Sequence, residues 1–362
     1  MEAVARPRPT ANIGIELWLP APADWSGRYY QMGNGGFAGW IHSPTLAAAA
    51  ARGDVAAATD TGHAGDGFDA SWAAGRPDLV ADYAHRSIKA TADAAARLIR
   101  DHYRRPARHR YFMGCSYGGR QALVAAARWP RDWDGVIAGA PAFDWTRALT
   151  GFARIARAAP GGDPALRRVL QREGYFPDEI GTQDWRTWIT PSDPAAPSQR
   201  RLTIEAHRHL FGAAPSWTPQ ERLPMREQRQ LSMRRMFEVG DLRPYLKSGG
   251  KVLVYFGRAD PVLPPMRAIE HRRELVARLG ARVLDRSYRL FMVPGMGHCQ
   301  GGPAPHAFGQ SLGTPGGRDD PEHDVRRALE RWVEGGVTPD ALVAHDAGSG
   351  SGRFQLLRPV VD

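Results

Sequence analysis

The chain has 362 residues, 43% of them hydrophobic, a formal net charge of +10 and only two cysteines. That length suits one large α/β domain carrying an insertion, not a small disulfide-built module. No apolar run reaches the roughly 18 residues a membrane-spanning helix needs. The arginines that make the charge are scattered, with no compact basic helix and interleaved aromatics, so neither a membrane nor a nucleic-acid partner is expected.

Met1 to Thr10 holds no apolar signal-like region, which fits a mature form without its leader or an intracellular protein. Ile13-Gly14-Ile15-Glu16-Leu17-Trp18-Leu19 reads as a strand, and Arg28-Tyr29-Tyr30-Gln31-Met32 as another. The loop Gly33-Asn34-Gly35-Gly36-Phe37-Ala38-Gly39 follows at once. Its glycines allow positive φ and a close approach of backbone to ligand. No helix opens directly on them, which argues against a dinucleotide-phosphate loop. The alanine-rich stretch Ala47 to Ala58 reads as helix.

Arg108 to Met113, apolar at its end, reads as a buried strand, and Gln121 to Arg128 as a helix. Between them lies Gly114-Cys115-Ser116-Tyr117-Gly118, which fits the nucleophile-elbow pattern G-x-S-x-G. That motif needs glycines two before and two after the serine, because the strand-to-helix turn is too tight for Cβ atoms. Five residues alone are a weak signal in a chain with 40 glycines. The order strand, elbow, helix and then the strand Val136 to Pro141 makes it specific.

After Trp145 the alternation of strands and helices stops until the strand Lys251 to Gly257. Residues 148–240 therefore read as an inserted lid, and 1–147 with 241–362 as the catalytic core. Helical stretches are expected near 165–173 and 200–210. Trp185, Trp188 and Trp217 lie in the lid and, with Phe37, are candidates to contact a flat aromatic ligand, although lid tryptophans are more often core. His207 and His209 would not share a helical face, so they make a poor metal pair.

The strand Lys251 to Gly257 ends in Arg258-Ala259-Asp260-Pro261, a helix is expected over Met266 to Leu279, and the strand Tyr288 to Val293 leads into Pro294-Gly295-Met296-Gly297-His298. Ser116, Asp260 and His298 thus occur in the chain order of an α/β-hydrolase triad. A serine hydroxyl becomes a useful nucleophile when a neutral imidazole takes its proton, and a carboxylate holds that imidazole in the right tautomer. Two backbone amides complete an oxyanion hole: Tyr117, next to the nucleophile, and Gly36, with Gly35 and Phe37 as rivals for the second place. Each cysteine adjoins one of these residues. A bond between Cys115 and Cys299 would pull Ser116 and His298 together, and two cysteines allow only that pairing.

The stretches Gln31 to Gly39, Ala58 to His63, Gly114 to Gln121, Asp134 to Pro141, Ala259 to Pro261 and Gly295 to Gly302 together resemble the tannase and feruloyl esterase family of α/β-hydrolases. The resemblance implies a mostly parallel sheet with helices on both faces and an inserted lid. It implies hydrolysis of esters of phenolic acids such as galloyl and feruloyl esters, and the serine mechanism read from the residues needs no cofactor. One branch of the family cleaves monoesters of terephthalic acid. The family pairs the two cysteines that flank its serine and histidine, which supports the Cys115–Cys299 bond. A disulfide in turn favours a secreted or periplasmic location. One departure stands out. Many members carry a calcium loop in the lid, and calcium needs six to eight oxygen ligands. Here Asp163, Asp178, Asp184 and Asp193 are isolated from one another, so no lid metal is expected. A general short-chain carboxylesterase and a non-catalytic aromatic-ligand-binding protein are the competing readings.

Overall fold

The computed structural model describes residues 1–221, 235–310, 318–346 and 352–361. Eight strands form one sheet: β1 (Glu2–Ala5), β2 (Ile13–Trp18), β3 (Arg28–Met32), β4 (Val55–Thr59), β5 (His109–Cys115), β6 (Gly135–Gly139), β7 (Lys251–Gly257) and β8 (Tyr288–Val293). Their spatial order is β1-β2-β4-β3-β5-β6-β7-β8. Only the pairings of β1 with β2 and of β2 with β4 are antiparallel; from β4 to β8 every pairing is parallel. The α/β architecture expected from the sequence is therefore present. A separate two-stranded ribbon joins β9 (Leu342–His345) to β10 (Phe354–Leu357).

A parallel sheet must be covered on both faces. On one face the helices Ser87–Tyr103 and Tyr117–Arg128 bury Ile88, Ile99 and Leu123 against Phe112, Val136 and Val254. On the other the helix Val325–Gly335 buries Leu329 and Trp332 against Tyr111, Ile137 and Leu253. Alternate residues of one strand thus serve different cores.

The helix expected over Ala47 to Ala58 is corrected. The helix is Ser43–Ala50, and Val55-Ala56-Ala57-Ala58-Thr59 is the interior strand β4, buried at every position. Val55 and Ala57 join one core, Ala56 and Ala58 the other. Pairing of β4 with β2 on one side and β3 on the other overrides the intrinsic helix preference of alanine, whose advantage is small per residue.

Between β6 and β7, residues 148–240 contribute no strand to the sheet among the described residues. Helices Trp145–Ala158, Asp163–Glu173 and Gln199–Glu205 build this insertion, the first of them crossing the expected boundary at 148. It has small cores of its own, one around Ile155, Leu170 and Tyr175 and another around Ala153, Ile204 and Trp217.

Candidate active site

Parallel strands bring their C-terminal ends to one edge of the sheet, and the candidate residues follow four such ends: Gly33–Gly39 after β3, Ser116 after β5, Asp260 after β7 and His298 after β8. The strands β3 and β5 are direct neighbours, as are β7 and β8.

Ser116 has φ 63° and ψ −125°, a strained conformation for a residue with a side chain, and it caps the helix Tyr117–Arg128. The strain is held by its surroundings. Its N–H donates to the Gly139 carbonyl at 2.9 Å, and its C=O accepts from Arg120 and Ala142 at 3.1 and 3.2 Å. Gly118 shows why the elbow needs glycine: a Cβ there would sit 2.8 Å from the Asn34 carbonyl oxygen. The loop after β3 therefore lies against the first turn of the helix. Gln121, fully buried in that helix, accepts from the Asn34 amide at 2.8 Å and ties the two together.

The Asp260 side chain is fully buried, and both oxygens are used. Oδ1 accepts from the amides of Val262 and Leu263 at 2.7 and 2.9 Å. Oδ2 lies 2.8 Å from Nδ1 of His298. That bond makes Nδ1 the protonated nitrogen of a neutral ring and leaves Nε2 with its lone pair as a proton acceptor. The insertion braces the acid's loop. Tyr175 donates its hydroxyl to the Val262 carbonyl at 2.8 Å, and Gln199 donates Nε2 to the Pro261 carbonyl at 2.8 Å. Cys115 and Cys299 are bonded, with Cα atoms 5.9 Å apart, so the ends of β5 and the His298 loop are covalently joined.

Hydrogen bonding sets Phe37 apart from the other two candidates for the second oxyanion donor, Gly35 and Gly36. The Phe37 amide donates to the Gly67 carbonyl at 2.9 Å and is occupied. Among the described residues no backbone carbonyl takes the amide of Gly35 or Gly36. Gly36 has φ 51°, and a Cβ there would run into the Gly67 carbonyl oxygen, so only glycine fits.

The four aromatic candidates fall in different places. Trp188 borders the site, its ring 6.4 Å from that of His298 and 5.9 Å from Phe68. Trp185 packs in the core of the insertion with Arg167 over its ring at 5.0 Å. Trp217 is buried and stacks on His207 at 4.1 Å, inside the insertion. Phe37 is wholly buried between Tyr83 and Trp145. Trp217 and Phe37 are thus core side chains, and the expectation that they touch a ligand is dropped. Their apolar bulk is the same in either role, which is why composition could not sort them.

Three other residues were given no role in the site by the sequence: Tyr83, which no motif marks, His63, at the end of one of the stretches that carry the family resemblance, and Asp184. Tyr83 donates its hydroxyl to the Gly36 carbonyl at 2.6 Å. His63 stacks on Trp72 and bonds the Phe37 carbonyl through Nε2 at 2.9 Å; burial lowers its pKa, which keeps it a neutral strut. Asp184, read from the sequence only as an isolated carboxylate, reaches the His298 loop: its Oδ2 lies 3.5 Å from where a Cβ on Gly297 would be. Burial, with the nearby charge of Asp260, raises its pKa, against the opposing pull of His298. Asp163 and Asp178 are spent on Arg167, at 3.0 and 2.7 Å.

Comparison with known proteins shows the family of the chain. The family model described as tannase and feruloyl esterase matches residues 3–168 and 227–359. The chain is 30% identical to an uncharacterized esterase of Xanthomonas campestris pv. campestris, over 94% of this chain and 76% of that protein. It is 26% identical to feruloyl esterase C of Talaromyces stipitatus, over 94% of this chain and 77% of the other. In fold it is similar to feruloyl esterase B of Aspergillus oryzae, with a TM-score of 0.82 at 22% identity, covering 97% of this chain and 84% of that one. It is also similar to the tannin acyl hydrolase of Aspergillus niger, with a TM-score of 0.70 at 20% identity, covering 98% and 81%. The chain belongs to the tannase and feruloyl esterase family and is a carboxylic ester hydrolase.

Proposed function

We propose that this enzyme hydrolyses esters of phenolic acids through an acyl-serine intermediate. The observation that carries the reading is the buried Asp260–His298 bond beside a strained serine elbow, tied to it by the Cys115–Cys299 bond. Nε2 of His298 takes the Ser116 proton as Oγ attacks the ester carbonyl. The amides of Tyr117 and Gly36 receive the developing oxyanion, at about 3 kcal/mol for each donor. His298 returns the proton to the leaving alcohol. Water, activated by the same imidazole, then releases the acid. Residues 148–240 act as the lid, with Trp188 as an aromatic wall beside the acyl group.

Two further points narrow the reading. The first is substrate charge. Asp184 feels the charges of Asp260 and His298. Its charge near His298 would oppose the second carboxylate of a terephthalic monoester, so neutral phenolic acyl groups are favoured. Relatives named feruloyl esterases point the same way. The second is location. The disulfide suits an oxidising compartment and supports a secreted or periplasmic site of action.

The test is turnover of methyl ferulate, methyl gallate, mono-hydroxyethyl terephthalate and p-nitrophenyl butyrate by purified enzyme. Preference for a phenolic ester supports the proposal. Cleavage of butyrate alone makes the enzyme a general short-chain carboxylesterase, and preference for the terephthalic monoester overturns the charge argument.

A further inference from the structure

The amide of Gly36 works as an oxyanion donor only if its N–H is aimed, and glycine is the residue least able to aim itself. Two peptide units flank the Gly36 α-carbon. In the first, the Gly35 carbonyl accepts from the Ala38 amide at 2.9 Å. A trans peptide then sends the Gly36 N–H to the opposite side. In the second, the Phe37 amide donates to Gly67 at 2.9 Å and the Gly36 carbonyl accepts the Tyr83 hydroxyl at 2.6 Å. Of these three bonds, the one from Tyr83 alone comes from a side chain.

Tyr83 also reaches the other donor. Its ring stacks on that of Tyr117 with centroids 4.2 Å apart and planes at 8°. The Tyr117 hydroxyl donates to the Tyr83 carbonyl at 3.3 Å and accepts from the buried guanidinium of Arg120 at 3.0 Å. Tyr83 is itself fully buried and lies in a π-helical turn, Asp82–Arg86. Such turns are rare and concentrate at functional sites. Asp82, beside it, is fixed by ion pairs to Arg8 at 2.5 Å and Arg86 at 3.2 Å. Burial raises the Tyr83 phenol well above its ordinary pKa, so it stays a hydroxyl donor.

We infer that Tyr83 is a positioning residue for the oxyanion hole, holding the peptide that follows Gly36 through its hydroxyl and the side chain of Tyr117 through its ring, and so both donors indirectly. It touches no substrate and acts through both donors. The inference rests on the serine-esterase reading above. Removing the hydroxyl frees the Gly36 carbonyl; the Gly36–Phe37 peptide then keeps one bond, from the Phe37 amide, and rotation about the Gly36 α-carbon passes the loosening to the Gly36 N–H on the preceding peptide. Losing a whole oxyanion donor costs about a hundredfold or more in turnover; misaiming one costs less, about tenfold.

The test is Tyr83→Phe, with Tyr245→Phe as the control for loss of a buried phenol far from the site, where the hydroxyl bonds the Lys251 carbonyl at 3.3 Å. Each variant is assayed on methyl ferulate and with an aryl trifluoromethyl ketone, which forms a tetrahedral adduct on serine. For Tyr83→Phe, kcat falls about tenfold, KM stays within about twofold, and affinity for the ketone falls as kcat does. 4-Aminophenylalanine at position 83, which keeps a donor, restores most of the loss. If Tyr83→Phe does not fold, 4-fluorophenylalanine, which fills the space of the hydroxyl without donating, makes the same comparison. Wild-type kcat without the donor, equal losses in both variants, or a fall in kcat with unchanged ketone affinity overturns the inference. An inactive wild-type enzyme would instead overturn the esterase reading on which it rests.

Discussion

Cys115 and Cys299 are bonded although 184 residues separate them, and each is the immediate neighbour of a proposed triad member, Ser116 or His298. The bond clamps the end of the strand before Ser116 to the loop that carries His298. Both side chains also pack against the core that lies under the elbow.

Breaking that clamp should cost both stability and rate. In the chain-entropy model, closing so long a loop stabilises by on the order of 5 kcal/mol. The paired variant Cys115→Ala/Cys299→Ala should melt several degrees lower. Its kcat should fall even at temperatures where it remains folded. Calorimetry and initial rates on the same preparation check this, and full activity in the folded variant would show that the clamp plays no part in alignment.

Asp260→Asn separates orientation from folding. An amide oxygen can still accept from the Val262 and Leu263 amides, so the loop should keep its shape. The amide nitrogen, however, would face Nδ1 of His298 and favour the wrong tautomer. Turnover should drop on the order of ten-thousandfold with little change in melting temperature. A mild loss would mean that another carboxylate orients the base, and Asp184 would be the first to examine.

Trp188 and Trp217 should behave oppositely when cut to alanine. Trp188 stands beside His298, so Trp188→Ala should raise KM for methyl ferulate several-fold and leave p-nitrophenyl acetate little affected. Trp217 is core, so Trp217→Ala should destabilise by about 3–5 kcal/mol. Melting curves and KM ratios distinguish the two.

Acid should loosen the insertion through His207. Its ring is buried, bonded through Nδ1 to the Thr203 carbonyl at 2.7 Å, and burial brings its pKa down to about 4. Unfolded, it would titrate near the ordinary value of about 6.5. Between those values the unfolded chain holds the extra proton, so stability is fully present above about pH 6.5 and declines as pH falls towards 4. His207→Gln should flatten that part of the curve of melting temperature against pH; an unchanged slope would assign the sensitivity elsewhere.

Much of this was legible in the sequence for identifiable reasons. The elbow, the acid loop and the base loop each sit directly after an apolar strand, and strand ends of a parallel sheet converge. Two cysteines permit one bond. The rest depended on contacts that local pattern does not encode. Val55–Thr59 carries helix-forming alanines yet is an interior strand, because it pairs with β2 on one side and β3 on the other and is buried at every position. Trp188 and Trp217 are the same residue type in the same insertion, and only packing tells the wall of a site from a core. Tyr83 lies 47 residues from the carbonyl it holds, in a turn whose sequence shows no motif.

The central claim is an ester of phenolic acid passing through Ser116. Rapid acid quench of the enzyme with methyl ferulate, followed by peptide mass spectrometry, tests it most directly. The account predicts a feruloyl increment on the peptide carrying Ser116, absent in Ser116→Ala together with turnover. Steady cleavage of the ester by Ser116→Ala, with no acyl group on that peptide in the wild-type enzyme, would contradict it.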